Sequence, residues 1–219
     1  MGAIYLVRHG QASFGAADYD LLSPNGFSQS TVVGAELSRR EAVFSQARVG
    51  SMARQWDTAT TVLKGLGGSL VAKEDPRWNE YDHVDIATHH AGGVEQGDDS
   101  RAYQAALDGA LTAWITAGAE GPCAETWPAF HARVRGALEE LAGELGKGEN
   151  AVVFTSGGVI ATLCGILLGI PEIGLVKLNR VTVNGGITKL VSGRGGLTLL
   201  SFNEHGHFEG EHSSLLTYR

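Results

Sequence analysis

Cysteine and long apolar runs are both scarce in this sequence. Its two cysteines, Cys123 and Cys164, lack the spacing of paired metal ligands, so we expect two reduced thiols and not a disulfide. The longest apolar stretch, residues 157–170, is too short to cross a bilayer. The first residues also lack a basic segment followed by an apolar one. These absences predict a cytoplasmic protein that has no membrane partner.

Positive charge is scarce as well. The chain has 17 lysines and arginines against 24 aspartates and glutamates, which gives a net charge of −7 with neutral histidines. The basic residues form no cluster of the kind that attracts nucleic acid or anionic lipid, so we expect no nucleic-acid partner. An acidic protein that binds a small anion must bring its few cations together at one place. An arginine that directly follows a buried strand therefore has particular weight.

Glycine is abundant, with 31 residues in a chain of 219, about twice the usual share. The length suits one domain over residues 1–219, and the early alternation of strands and helices predicts a doubly wound or mixed α/β sheet. Residues 81–100 show little periodicity and indicate a substrate lid or long loop, within an insertion at about 76–122. Weaker patterns predict a strand at 69–72 and β-rich segments at 175–178, 181–190 and 197–202.

Two arginines follow predicted strands. The apolar residues 4–7 predict a buried strand that delivers Arg8 and His9 to the carboxyl edge of the sheet, where α/β sheets bind ligands. A second strand at 47–52 leads directly to Arg54. If the two strands are neighbours in a parallel sheet, both arginines enter one crevice, and their combined positive charge indicates an anion-binding site. An imidazole between them suits nucleophilic attack on phosphorus, although for the Arg8-His9 pair alone a solvated loop is an equally good interpretation.

The ordered set of motifs resembles the histidine phosphatase superfamily, also called phosphoglycerate-mutase-like, over most of the chain. The residues that carry the resemblance are 6–11 (LVRHGQ), 51–55 with Thr58 and Ala59, 78–80 (WNE), Glu125 and Thr126 with Arg133, 152–160 (VVFTSGGVI) and 201–203. The resemblance implies a three-layer, doubly wound, mostly parallel sheet with helices on both faces. It favours the phosphatase branch over the mutases, because the loop after Gly10 lacks their tryptophan-asparagine pair and longer insertions.

The resemblance also implies the chemistry. His9 would be the nucleophile that forms a phosphohistidine, and Arg8 and Arg54 would hold the phosphoryl oxygens. Glu80 would give a proton to the leaving oxygen and later act as the base for water. Further substrate contacts are predicted at Gly10, Gln11, Ser156 and Gly157. The implied activity is a phosphomonoester hydrolase that acts on a small phosphorylated metabolite and needs no metal and no cofactor.

Ser156 departs from the family pattern, which has a second histidine at this position. Losing that donor can lower the rate roughly a hundred- to a thousandfold. The Ser156 hydroxyl could still contact phosphate, or it could cap the helix that follows, and both interpretations fit the sequence. His205, His207 and the lid residue His83 are candidates to compensate, although a solvated loop histidine is the more common case for each.

Two rival functions follow from Ser156. A catalytically weakened or inactive member of the fold would still bind phosphate through Arg8 and Arg54. Alternatively, Ser156 would itself be the nucleophile of a serine hydrolase, with His205 or His207 as its base. The second alternative leaves both arginines without a role, and Phe154 stands where a nucleophile elbow has glycine. The sequence does not indicate an oligomeric state.

Overall fold

A six-stranded sheet forms the centre of the protein in the computed structural model, which describes residues 2–13, 20–91, 100–193 and 195–218, without the side chains of 100–103. The strands are β1 (Gly2–Arg8), β2 (Gln46–Val49), β3 (Lys73–Glu74), β4 (Asn150–Thr155), β5 (Ile187–Gly193) and β6 (Gly196–Glu204). Their order is β3-β2-β4-β1-β5-β6. The first four are parallel, and β5 and β6 run antiparallel at one edge. The sheet is therefore mostly parallel, as predicted.

Helices cover both faces of the sheet. The helices are α1 (Pro24–Arg39), α2 (Ala53–Gly65), α3 (His83–Ala91), α4 (Ser100–Ala117), α5 (Trp127–Glu144), α6 (Gly157–Leu168) and α7 (Gly174–Val181). Ile4 and Leu6 of β1 pack towards α4, α5 and α6, whereas Tyr5 and Val7 pack towards α1 and α2. A strand buried on both faces needs an unbroken apolar run, which explains the sequence of β1. The result is the predicted three-layer α/β fold.

The order of the strands brings the predicted functional segments to one edge. β1 pairs in parallel with β4 so that Arg8 lies opposite Thr155, and β2 lies on the other side of β4. The carboxyl ends of β1, β2 and β4 therefore meet at the same edge. They continue into His9, the start of α2 and Ser156, respectively. The topology alone places three of the predicted motifs beside one another.

Three secondary-structure predictions were wrong, and a fourth, the β-rich segment at 181–190, is correct only from Ile187, where β5 begins. The predicted loop at 81–100 contains α3, whose first turn is capped by the Asp82 carboxylate through the amides of Val84 (2.9 Å) and Asp85 (3.0 Å). Residues 175–178 belong to α7, because Leu175 must pack on Gly165 of α6, which is a helical contact and not a sheet pairing. The third strand lies at 73–74 instead of 69–72. Part of the predicted lid, residues 92–99, falls outside the described residues, and its role as a lid stays a prediction.

Among the residues described, no helix combines the length and the apolar character that a membrane span requires. The start of α1 is capped by the Ser23 hydroxyl, which accepts a hydrogen bond from the amide of Gly26 at 3.0 Å. Pro24 follows in the first turn, where a missing N–H costs nothing.

Gly10 and Gly26 allow α1 to lie directly against the chain that leaves β1. A Cβ atom on Gly10 would stand 2.4 Å from the carbonyl oxygen of Gly26, and one on Gly26 would stand 2.3 Å from that of Gln11. Both clashes involve backbone atoms, which cannot swing away as a side chain can. The start of α1 is therefore held against the segment that carries His9.

We expect Gly26→Ala to lower the free energy of unfolding by about 1–3 kcal/mol, because the added methyl group pushes α1 away from Gln11. Gly136→Ala is the matched control, since Gly136 is also helical but has open space around its Cα. Alanine favours helix by about 1 kcal/mol over glycine, so the control should be neutral or stabilising. Urea unfolding followed by circular dichroism measures both. Equal effects of the two substitutions would contradict the contact.

Candidate active site

The contacts of its two ring nitrogens hold His9 in one tautomer. Nδ1 lies 2.7 Å from the carbonyl oxygen of Gly10, and the Nε–H of Arg54 donates to Nε2 at 3.2 Å. Because a guanidinium can only donate, Nε2 must be the acceptor and Nδ1 must carry the proton. The lone pair of His9 is therefore on Nε2, directed at the cation of Arg54.

The charge state of His9 follows from its surroundings. The residue is 5% exposed, and burial, together with the positive charges of Arg54 and Arg8, lowers the pKa of His9 well below its ordinary value. A buried imidazole beside two guanidinium groups is destabilised when it takes up a proton. His9 is therefore neutral at physiological pH, which is the state that a nitrogen nucleophile requires.

Three parts of the fold fix the backbone around His9. Its amide donates to the carbonyl oxygen of Thr155 at 2.9 Å, which extends the pairing of β1 with β4 by one residue. Its own carbonyl accepts from the side-chain amide of Asn184 at 3.2 Å. The next amide, that of Gly10, donates to the hydroxyl of Thr58 at 3.0 Å. The imidazole therefore sits on a backbone that has little freedom to move.

Arg54 lies in the first turn of α2 and is 5% exposed. Besides its bond to His9, its Nη1 pairs with Asp20 Oδ1 at 2.6 Å, and Asp20 Oδ2 accepts from the amide of Ala53 at 2.7 Å. Asp20 thus supplies the cap that Met52 cannot provide for α2. One carboxylate holds both the start of the helix and the arginine.

Arg8 enters the same site from the end of β1. Its Nη1 donates to the carbonyl oxygens of Thr182 and, at 3.0 Å, of Tyr218. Its guanidinium lies against α6, because a Cβ atom on Gly157 would be 3.4 Å from Arg8 Nε. Its positive charge acts on both His9 and Glu80. The structure therefore brings Arg8, His9, Arg54 and Glu80 together, as the sequence predicts, with Gly157 beside Arg8.

Glu80 faces the start of α6, where its Oε2 accepts from the amide of Gly158 at 2.9 Å. Burial raises the pKa of Glu80 above its ordinary value, although this hydrogen bond and the charges of Arg54 and Arg8 oppose the rise. The protonated acid is therefore more populated than in water. A Cβ atom at position 158 would stand 2.3 Å from Glu80 Oε1, so a larger residue there would displace the carboxylate.

The backbone that carries Glu80 is held by a side chain of α5. Arg133 donates to the carbonyl oxygens of Arg77 at 2.9 Å and of Asn79 at 2.8 Å. Its guanidinium pairs with both oxygens of Glu125, at 2.5 and 2.9 Å. Glu125 and Arg133 belong to the residues that carry the family resemblance. In this structure they position the loop of Glu80 and are not part of the cluster around His9.

Ser156 is fully buried, and its hydroxyl accepts a hydrogen bond from Gln55 Nε2 at 2.8 Å. The same amide nitrogen donates to the carbonyl oxygen of Trp78 at 3.2 Å. The side chain of Ser156 makes no capping bond to α6, so the interpretation of its hydroxyl as a helix cap was wrong. Because Gln55 donates, the hydroxyl proton of Ser156 remains directed elsewhere. The sequence analysis included Gln55 in the resemblance at 51–55 but assigned it no role.

The remaining predicted residues differ in how close they lie to the site. His205 and His207 lie within hydrogen-bond distance of the carbonyl oxygens of Asn203 (2.6 Å) and Gly185 (3.1 Å). Burial and the charge of Arg54 lower the pKa of His83, so this residue is near enough to feel the cation of the site. The amide oxygen of Gln11 accepts from Ser23 and Asn25 at the start of α1, and its contact with substrate stays a prediction. Gly10 contributes its carbonyl to His9.

The comparisons with known proteins agree with this architecture. The family model described as the histidine phosphatase superfamily (branch 1) matches residues 4–205. No curated protein matches the sequence.

Several solved structures are similar in fold. A mycobacterial glucosyl-3-phosphoglycerate phosphatase with VO3 has a TM-score of 0.70 and 24% identity, over 93% of this chain and 99% of that one. A phosphoserine phosphatase mutant from Entamoeba histolytica with phosphoserine has a TM-score of 0.68 and 18% identity, over 94% of this chain and 99% of that one. Phosphoglycerate mutase from Bacillus anthracis has a TM-score of 0.67 and 21% identity, over 94% of both chains. The match of the family model over nearly the whole sequence shows that the chain belongs to the histidine phosphatase superfamily, branch 1.

Proposed function

We propose that this protein hydrolyses small phosphomonoesters through a phosphohistidine on Nε2 of His9, without a metal ion. The observation that carries the proposal is the neutral imidazole whose Nε2 lone pair faces Arg54, in a group that also contains Arg8 and a raised-pKa Glu80. Two guanidinium groups supply the positive charge that phosphoryl transfer needs. The fold neighbours named as phosphatases of glucosyl-3-phosphoglycerate and phosphoserine support a small phosphorylated metabolite as the substrate.

The reaction has two steps. First, the lone pair of Nε2 attacks phosphorus, the bond from phosphorus to the ester oxygen breaks, and protonated Glu80 gives its proton to that oxygen, which leaves as an alcohol. Second, the Glu80 carboxylate takes a proton from water as the water oxygen attacks phosphorus. The nitrogen–phosphorus bond breaks, which releases inorganic phosphate and restores His9. Each residue ends the cycle in its starting state.

Ser156 completes the phosphoryl site in this proposal. Its hydroxyl proton is the one donor left after Gln55 has occupied its oxygen, and we expect it to bond a phosphoryl oxygen. A serine hydrolase would need a base on this hydroxyl, but its hydrogen-bond partner among the described side chains is an amide. The geometry thus favours a phosphatase over the serine hydrolase. A weakened phosphate-binding protein remains the second candidate, because Ser156 provides one neutral donor in place of an imidazole.

The intermediate is the direct test. We expect the protein to release p-nitrophenol from p-nitrophenyl phosphate in the presence of a chelator, and to carry an acid-labile phosphate after rapid quenching with labelled substrate. His9→Ala should abolish both signals, whereas His212→Ala, at a half-exposed histidine outside the site, should change neither. Acid-stable label on Ser156 would favour the serine hydrolase. Phosphate binding without turnover or label would favour the phosphate-binding protein.

The pH profile tests the assigned protonation states. The rate requires neutral His9, so kcat/KM should rise with pH through the lowered pKa of His9, at a pH below the ordinary 6.5. It also requires protonated Glu80, so kcat/KM should fall again as the pH passes above the raised pKa of Glu80. Glu80→Gln should lower kcat by about 10²- to 10⁴-fold and remove the descending limb. A descending limb that persists in Glu80→Gln would contradict the assignment of Glu80.

Restoring the family histidine tests the role of Gln55. We expect Ser156→His alone to lower both activity and stability, the latter by about 1–3 kcal/mol, because Gln55 fills the space beside the fully buried serine. Combining Ser156→His with Gln55→Ala makes room for the ring, and kcat should then exceed that of Gln55→Ala by about tenfold or more. Steady-state kinetics and thermal unfolding of all three variants measure this. A gain from Ser156→His alone would show that Gln55 does not block the position.

A further inference from the structure

Asp85, His89 and Cys123 lie together outside the cluster that surrounds His9. Asp85 and His89 are one turn apart on α3, and Cys123 lies in the loop before α5. One ligand atom from each residue lies within 4.8 Å of the other two. His89 Nδ1 is 3.0 Å from Asp85 Oδ1. A carboxylate, an imidazole and a thiol therefore converge from two segments of the chain that are far apart in sequence.

We propose that Asp85, His89 and Cys123 bind a divalent cation of the zinc type, with water as the fourth ligand. Thiolate, imidazole and carboxylate are the three ligand types of zinc, at bond lengths of about 2.0–2.3 Å. Magnesium and calcium prefer oxygen alone, so the thiol and the imidazole argue against them. A tetrahedral ion with these bond lengths holds its ligand atoms roughly 3.3–3.6 Å apart. Distances near the upper value of 4.8 Å must therefore shorten by about 1 Å, whereas His89 Nδ1 and Asp85 Oδ1 are already close enough at 3.0 Å. The exposed side chain of His89 can make this adjustment by rotation.

The surroundings favour a cation. Asp82, which caps α3, and Asp85 both act electrostatically on the Cys123 thiol, so the charge around that thiol is negative. Asp85 is also partly prearranged, because its Oδ2 accepts from the amide of Ala124 at 2.8 Å while Oδ1 faces His89. The carboxylate therefore already holds the loop of Cys123 against α3. A bound ion would add a second and stronger link between the same two segments.

This site is separate from the phosphoryl chemistry, but it borders the segments that position Glu80. α3 begins three residues after Glu80, and Cys123 precedes Glu125, the partner of Arg133. We therefore expect the ion to stabilise this region without taking part in the reaction. Activity should persist when the ion is removed.

Cobalt(II) is the probe, because thiolate ligation produces a charge-transfer band in the near ultraviolet that oxygen and nitrogen ligands do not. We expect the chelator-treated full chain to bind one cobalt ion with this band, and zinc to displace it. Cys123→Ser should abolish the band, and His89→Gln or Asp85→Asn should weaken binding by about tenfold or more. Zinc should also raise the Tm of the wild type but not that of Cys123→Ser, since only a folded site binds the metal.

Two control variants test whether another thiol or histidine of the chain could produce the cobalt band. Cys164→Ala removes the second thiol, which is buried on α6, and should leave the cobalt band unchanged. His212→Gln removes a half-exposed histidine that lies 3.7 Å from Glu211, and should also have no effect. A charge-transfer band that is absent from the wild type, or that survives Cys123→Ser, would overturn the proposal.

Discussion

The hydrogen bond from Arg54 to His9 is the interaction on which the site depends. Burial and the two cations beside the imidazole keep it unprotonated, and the direction of the Arg54 Nε–H decides which ring nitrogen bears the lone pair. The same cations favour an anion beside the imidazole. The contact with Arg54 thus sets the tautomer and the orientation of the ring, and it contributes to the charge state.

The parallel sheet makes this contact possible. Arg8 and His9 follow β1, Arg54 follows β2, and Ser156 follows β4, so the carboxyl ends of neighbouring strands deliver them to one edge. Glycines then allow close approach: α1 can touch the chain after β1 at Gly10, and the start of α6 can receive the Glu80 carboxylate at Gly158. The high glycine content of the sequence is explained in part by these backbone contacts.

The sequence analysis recovered what local patterns encode. The fold class and the family could be predicted, because apolar runs and motifs are local in the chain. The bond between Gln55 and Ser156 could not, since it joins residues 101 positions apart and has no local signal. α7 was mistaken for a strand because eight residues are too few to show a helical period clearly, and its identity depends on the packing of Leu175 against α6.

The ion pair of Asp20 with Arg54 has a consequence for how a substrate is admitted. A phosphoryl group that approaches Arg54 meets a guanidinium whose charge is already partly balanced by the Asp20 carboxylate at 2.6 Å. The net electrostatic gain of binding is then smaller than the charge of the arginine suggests. Asp20 also caps the start of α2. A substrate that alters the pairing of Asp20 with Arg54 therefore also acts on the first turn of that helix. A phosphate dianion gains more from the charge that remains on Arg54 than a monoanion does, because the Coulombic energy grows with the charge of the ligand.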